Sequence, residues 1–174
     1  MKMQTLAIND LRSERLLLIP YTLTICENIL NGDFSDLDRL DLKKGSGWPD
    51  ADVLDTLPRI IKNLSRVEGP TGFESWLVIK RDTGEIIGDI GFKGFDDKSA
   101  SCDIGYGIVE TERRQGYAEE AARTLIQWAF SNDFLSCITA KCLLENVSSQ
   151  NLLLRLNFTE SDRDHEMIYW VLSR

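Results

Sequence analysis

Apolar residues recur at Ala118, Ala121, Ala122, Leu125, Ile126, Ala129 and Phe130. This i, i+3, i+4, i+7, i+8 spacing predicts an amphipathic helix over 118–130. Glu119 and Glu120 fall in its first turn, where negative charge suits the helix dipole. Glu119 and Arg123 stand at i, i+4 and predict an ion pair on the wet face. A second stripe (Val53, Leu54, Leu57, Ile60, Ile61, Leu64) predicts a helix over 50–64, with Asp50 as its cap and a kink at Pro58. Shorter helices are predicted over 23–30 and 147–156. Runs of β-formers predict strands over 15–20 (ended by Pro20), 75–80, 85–92, 101–109, 137–144 and 167–172. The turn sequence Arg81-Asp-Thr-Gly84 joins two of them into a hairpin. Residues 31–49 are acidic, glycine-bearing and without a period, and read as a loop. An antiparallel run followed by a β-α-β unit predicts an α+β fold. We expect a single domain over 1–174, its central mixed, mostly antiparallel β-sheet flanked by helices.

Composition narrows the function. The 174 residues suffice for one domain with a full core. A net charge of −8 and a pI near 4.7 exclude wholesale nucleic-acid binding. That acidity either favours a cationic partner, such as an amine or a basic peptide, or simply serves solubility. No run of about 18 apolar residues occurs, so no membrane span is expected. Residues 1–10 lack a basic stretch followed by an apolar one, so no secretory signal is expected. Cys26, Cys102, Cys137 and Cys142 are scattered and His165 is the lone histidine, a pattern that predicts reduced thiols in a cytoplasm and no metal site.

The densest chemistry lies at the junction of the 101–109 strand with the 118–130 helix. Arg113-Arg-Gln-Gly-Tyr-Ala118 presents free main-chain N–H groups and two guanidiniums at a helix N-terminus, a natural seat for a phosphate. Gly116 either lets a ligand approach the main chain or simply makes the turn. By alternation Asp103, Gly105 and Gly107 share one strand face. The paired glycines read as a bulge or as room for a ligand along the strand. Further on, Asn146 and Ser149 sit where a strand ends and a helix starts, with Asn146 also a plausible cap. Asn157 falls where a left-handed C-terminal residue is expected. A dinucleotide fingerprint matches poorly, because Gly105-x-Gly107 is followed by Glu110 where glycine is required.

Taken in order, strand, Arg-Arg-Gln-Gly-Tyr-Ala, long helix, strand, Asn146-x-x-Ser149, short helix and Asn157-Phe158 resemble the GNAT family of acetyl-CoA-dependent N-acetyltransferases. Within it the chain is similar to the Rim-type branch, which acetylates ribosomal-protein N-termini and, in many relatives, other amines. Ile104-Gly-Tyr-Gly-Ile108 matches that branch's Glu-Ile-Gly-Tyr strand, with Asp103 in place of the Glu. The resemblance implies acetyl-CoA as co-substrate and a primary amine as acceptor, on a protein N-terminus or a small molecule. Main-chain groups of Ile108 and Val109 would bond the pantetheine arm. The N–H groups of Arg114, Gln115, Gly116, Tyr117 and Ala118 would cradle the diphosphate, with the Arg113 and Arg114 side chains as counter-charges. Asn146 would contact the coenzyme and Ser149 would lie near its sulfur. Dimers are common in the family, so a homodimer is an expectation.

Acetyl transfer needs a neutral amine, an oriented thioester and a destination for protons. Asp103 is the candidate base, with Glu74 and Asp89 as weaker alternatives, and Ser149 is the candidate partner of the leaving thiolate. Many family members carry a tyrosine acid on the short helix, where this chain has Leu153. An acyl-CoA-binding module without turnover is therefore the competing reading. Tyr106 and Trp76 read as core, His165 as solvated in a charged turn, and Trp48 as either a roof over the acceptor or a pin for its loop.

Overall fold

The computed structural model describes residues 8–174. Residues 1–7, part of the stretch examined for a secretory signal, lie outside the described residues. In chain order the elements are β1 (Leu11–Arg12), β2 (Leu16–Pro20), α1 (Leu23–Leu30), α2 (Ser35–Arg39), β3 (Lys43–Lys44), α3 (Ala51–Leu64), β4 (Ser75–Lys80) and β5 (Glu85–Asp96). There follow β6 (Ser101–Ile108), a 3-10 turn (Glu110–Glu112), α4 (Tyr117–Phe130), β7 (Cys137–Leu143), α5 (Val147–Arg155), β8 (Thr159–Arg163) and β9 (Met167–Ser173). All the strands form one nine-stranded sheet ordered β1-β2-β4-β5-β6-β7-β9-β8, with β3 beside β5. Only β3:β5 and β6:β7 are parallel, so the sheet is mixed and mostly antiparallel, and the class is α+β.

The helices form where the periodicity places them. α3 buries Val53, Leu57, Ile60 and Leu64, runs unbroken through Pro58, and is capped by Asp50, which accepts the Val53 N–H at 2.9 Å. α4 buries Ala121, Ala122, Leu125 and Ala129, and Arg123 meets Glu119 at 2.8 Å as its spacing requires. α5 is capped by Asn146, which accepts the Ser149 N–H at 3.1 Å, and is followed by Asn157 in the left-handed region. Trp76 is fully buried, and its indole N–H donates to the Gly72 carbonyl at 2.9 Å. Trp48 is buried and packs edge-on against Phe34, so it pins its loop to the core.

Three segments depart from expectation. The 31–49 stretch is not all loop: it holds α2, where Asp36 turns inward to accept from Asn28 Nδ2 at 2.7 Å and pairs with Arg39. It also holds β3, which adds two residues to the sheet. β8 (Thr-Glu-Ser-Asp-Arg) is exposed along its whole length and is held by its pairing to β9. Such a polar edge strand carries no apolar alternation to read and resists pairing with other chains. β5 runs on to Asp96 because a register shift between Phe92 and Phe95 absorbs the extra residues and keeps the pairing with β6.

Candidate active site

The β6:β7 pairing stops early. Ser101, Cys102 and Asp103 pair with Cys137, Ile138 and Thr139, and from there the two strands part. The gap opens into a cleft of about 890 Å³ lined by residues 104–108, the 113–119 loop and helix start, β7 and one side of α5 from Ser148 to Arg155. Register decides which strand atoms face it. Val109 N–H donates to the Ile87 carbonyl at 2.9 Å, so antiparallel alternation turns the N–H and C=O of Tyr106 and Ile108 away from β5, towards the gap. This corrects the expectation for Val109. Its N–H is bound to Ile87 and so is not free for a pantetheine arm, and its carbonyl already accepts from Glu112 N at 3.0 Å. Tyr106 and Ile108 present the open edge instead. Arg113 also sits otherwise than expected: its Nε donates to the Ile108 carbonyl at 2.8 Å.

The loop beyond β6 is built to present donors. Arg114 (φ 61°) and Gly116 (φ 80°) are both left-handed, a conformation that turns successive N–H groups to one side. The N–H groups of Arg114, Gln115, Gly116, Tyr117 and Ala118 have no acceptor among the described residues. They add to the positive end of α4. Glu119 at the cleft wall would oppose an anion, but Arg123 and Arg155 (2.9 Å) bind it and hold its carboxyl below the usual range. This donor cradle, joined to an open strand edge, fits a ligand with a diphosphate at one end and amide groups along its arm.

Arg15, which the sequence does not single out, braces the loop. Its Nε meets Glu120 Oε2 at 2.6 Å, its Nη1 donates to the Gln115 carbonyl at 2.8 Å, and its guanidinium lies 4.4 Å from the Tyr117 ring centroid. Ser13 Oγ also donates to Glu120, at 2.6 Å. The partners lie about a hundred residues away, so no local signal could reveal them. Arg15→Ala should raise the dissociation constant of a diphosphate-bearing ligand at this loop by roughly tenfold, measured by titration. An unchanged constant would show that the loop needs no brace.

Ser149 and Tyr106 meet across the cleft, their hydroxyl oxygens 2.7 Å apart. Tyr106 is half-buried and packs against the core, as expected, while its hydroxyl meets that of Ser149 on the cleft side. Desolvation raises its pKa, and the Ser149 hydrogen bond opposes the rise. Leu153 is buried on the same cleft wall.

On the opposite sheet face a second cavity, about 450 Å³, lies between α3 and the strands and shares residues 104–108 with the cleft. An added Cβ at Gly105 or Gly107 would meet nothing within 4 Å, and β6 keeps regular register there, so these glycines make room rather than a bulge. Asp89 lines this cavity opposite Gly107, with no hydrogen-bond partner among the described residues. Burial, with a smaller contribution from Asp50, raises its pKa from 3.8 to about 7. Asp103 lies outside both cavities: its Oδ2 is 2.6 Å from Lys93 Nζ and its Oδ1 accepts from Thr139 Oγ1 at 2.8 Å. Glu74 is buried in its own turn, where Thr71 N and Oγ1 each donate to it at 2.8 Å. His165 is exposed in the β8–β9 turn.

A donor cradle at a helix start, an open strand edge and a second cavity meeting it have the form of a group-transfer site. The model of the acetyltransferase (GNAT) domain matches residues 15–159, and the chain belongs to that family. An uncharacterized N-acetyltransferase, YjdG of Bacillus subtilis (strain 168), is 32% identical over 161 residues, 92% of this chain and 96% of that protein. Two solved structures are alike in fold alone. The ribosomal-protein-S5-alanine acetyltransferase from Vibrio fischeri has a TM-score of 0.66 at 14% identity, covering 95% of this chain and 97% of that one. The microcin C7 self-immunity acetyltransferase MccE, in complex with acetyl-CoA and AMP, has a TM-score of 0.65 at 14% identity, covering 93% and 94%. The protein is an acetyltransferase.

Proposed function

We propose that the chain, one domain over 1–174, moves an acetyl group from acetyl-CoA to a primary amine by direct attack in a ternary complex. The observation that carries this reading is the meeting of two cavities on residues 104–108, one ending in the N–H cradle and the other holding Asp89. The cradle of Gln115 to Ala118 binds the diphosphate, and the open edge of Tyr106 and Ile108 bonds the pantetheine amides once Arg113 moves to the diphosphate as counter-charge. Asn146 caps α5 and so fixes Ser149 beside the sulfur.

Asp89, rather than Asp103, is the base. A carboxyl raised to about 7 is partly ionised near neutral pH and can accept one proton from the neutral amine as it attacks. As the amine nitrogen bonds to the acetyl carbon and the C–S bond breaks, the amine's proton passes to Asp89. The Ser149–Tyr106 hydroxyl pair donates a proton to the departing sulfur. A phenol on β6 thus stands in for the tyrosine absent at Leu153, which favours an enzyme over a binding module. Four free cysteines and dependence on acetyl-CoA suit a cytoplasmic enzyme.

The test is coenzyme thiol release from acetyl-CoA across an amine panel, repeated with Tyr106→Phe and Ser149→Ala. Each variant should lose about tenfold or more in kcat with an unchanged KM for acetyl-CoA. Binding of acetyl-CoA with no turnover of any amine would replace this reading by the binding module.

A further inference from the structure

The smaller cavity is polar in a directed way. Its carboxylates gather at one end: Asp89 on β5 and, close enough to raise its pKa, Asp50 at the α3 cap, with Asp52 one residue inside the helix. Arg113 also lines the cavity near this end, but its Nε is bound to the Ile108 carbonyl at 2.8 Å; the remaining cations lie farther along. Arg59 stands seven residues beyond Asp52, about 10 Å along α3. Lys93 stands four residues beyond Asp89, about 13 Å along β5. Lys141 on β7 lines the same wall. Lys93 is paired with Asp103 at 2.6 Å and Asp103 also accepts from Thr139, so both charges of that pair are already engaged and the free cations are Arg59 and Lys141. Arg59 and Lys141 are exposed and have no ion-pair or hydrogen-bond partner among the described residues.

The geometry points to an acceptor that joins a primary amine to an anionic group about 10 Å away. This rests on the amine-acetylation reading, and it runs against the net charge of the chain. A chain of charge −8 attracts cations at long range, yet the far wall of this cavity would repel the second ammonium of a polyamine. About 10 Å is three residues of extended peptide, so an amino terminus with acidic side chains at its third and fourth positions spans it. A short amine ending in a phosphate or carboxylate spans it equally.

The experiment compares kcat/KM by thiol release for the peptide amides Ser-Ala-Glu-Glu, Ser-Ala-Gln-Gln and Ser-Ala-Arg-Arg, with 6-aminohexyl phosphate and spermidine beside them. The acidic peptide should exceed the neutral one by about tenfold, and the basic peptide and spermidine should fall below both. Activity on aminohexyl phosphate but not on the acidic peptide would assign the site to a small molecule; the reverse would assign it to a protein terminus. The double variant Arg59→Glu with Lys141→Glu should reverse the peptide order, and Arg59→Glu alone, which lies outside the coenzyme cleft, should weaken the acidic preference while keeping the melting shift given by acetyl-CoA. Lys141→Gln, at an exposed position, should flatten the order if the double variant does not fold. The proposal is overturned if the parent prefers neutral or basic acceptors, or if the variants keep its order. It is also overturned if no acceptor reacts while acetyl-CoA still raises the melting temperature. Absence of that melting shift would instead sink the acetyl-CoA reading of the cleft.

Discussion

Gly116→Glu should abolish acetyl-CoA binding while leaving the fold intact. The parent protein at a hundred times the dissociation constant gains about 2.7 kcal/mol, which for a chain of this size is a rise of roughly 5–10 °C in melting temperature. In the variant the rise should vanish. Gly116 caps α4 at φ 80° and ψ 10°, in the middle of the run of unpartnered N–H groups. A side chain there costs about 1–2 kcal/mol of backbone strain. Its Cβ would stand 3.4 Å from Arg15 Nη2, at the edge of ordinary van der Waals contact, so the brace need give little. A glutamate adds a carboxylate where the diphosphate must sit. Helix starts tolerate acidic residues, so the folded state survives the charge. Gly116→Ala separates strain from charge, since it should weaken binding without eliminating it. A full melting shift in Gly116→Glu would move the coenzyme away from this loop.

Asp89→Asn should lower kcat by about 10²–10⁴-fold with acetyl-CoA binding unchanged. In the parent, kcat/KM should rise with pH through about 7 as Asp89 ionises, and the variant should lack that limb. Stability should respond in the opposite sense. The folded-state value lies above the ordinary 3.8, so the fold binds this proton more tightly than the open chain does. The stabilising contribution is complete below pH 4 and is lost as pH rises from about 4 to 7. Asparagine has no proton to lose. The melting temperature of the variant should therefore gain on the parent between pH 5 and pH 8. Equal kcat, or a gap independent of pH, would remove Asp89 from the role of base.

The parts of the molecule legible in the sequence are those set by local chemistry. The α4 stripe, the Asp50 and Asn146 caps, the left-handed Asn157 and the donor loop each depend on residues within a few positions of one another. β8 was not legible because an exposed edge strand held by main-chain bonds needs no apolar pattern, and α2 because its organising contact, Asn28 to Asp36, belongs to another element. In the site, the choice between Tyr106 and Val109 turns on pairing parity with β5, which a single strand does not reveal. Asp89 and Asp103 are alike as sequence. What separates them is that the β5 register shift and β7 bring Lys93 and Thr139 to Asp103, while α3 desolvates Asp89. Tyr106 and Ser149 are 43 residues apart and meet only because the strands diverge.

That divergence has a mechanical side. Past Asp103 no ladder crosses from β6 to β7, so β7, β8 and β9 are joined to the larger part of the sheet by three residue pairs and by helix packing. Main-chain ladders are what make a sheet open as one cooperative unit, and this one has a seam. A ligand arm bonded to the β6 edge and seated against β7 fills the seam as a removable strut. On the proposed reading, loading the coenzyme would splice two half-sheets into one, and its departure would restore the joint.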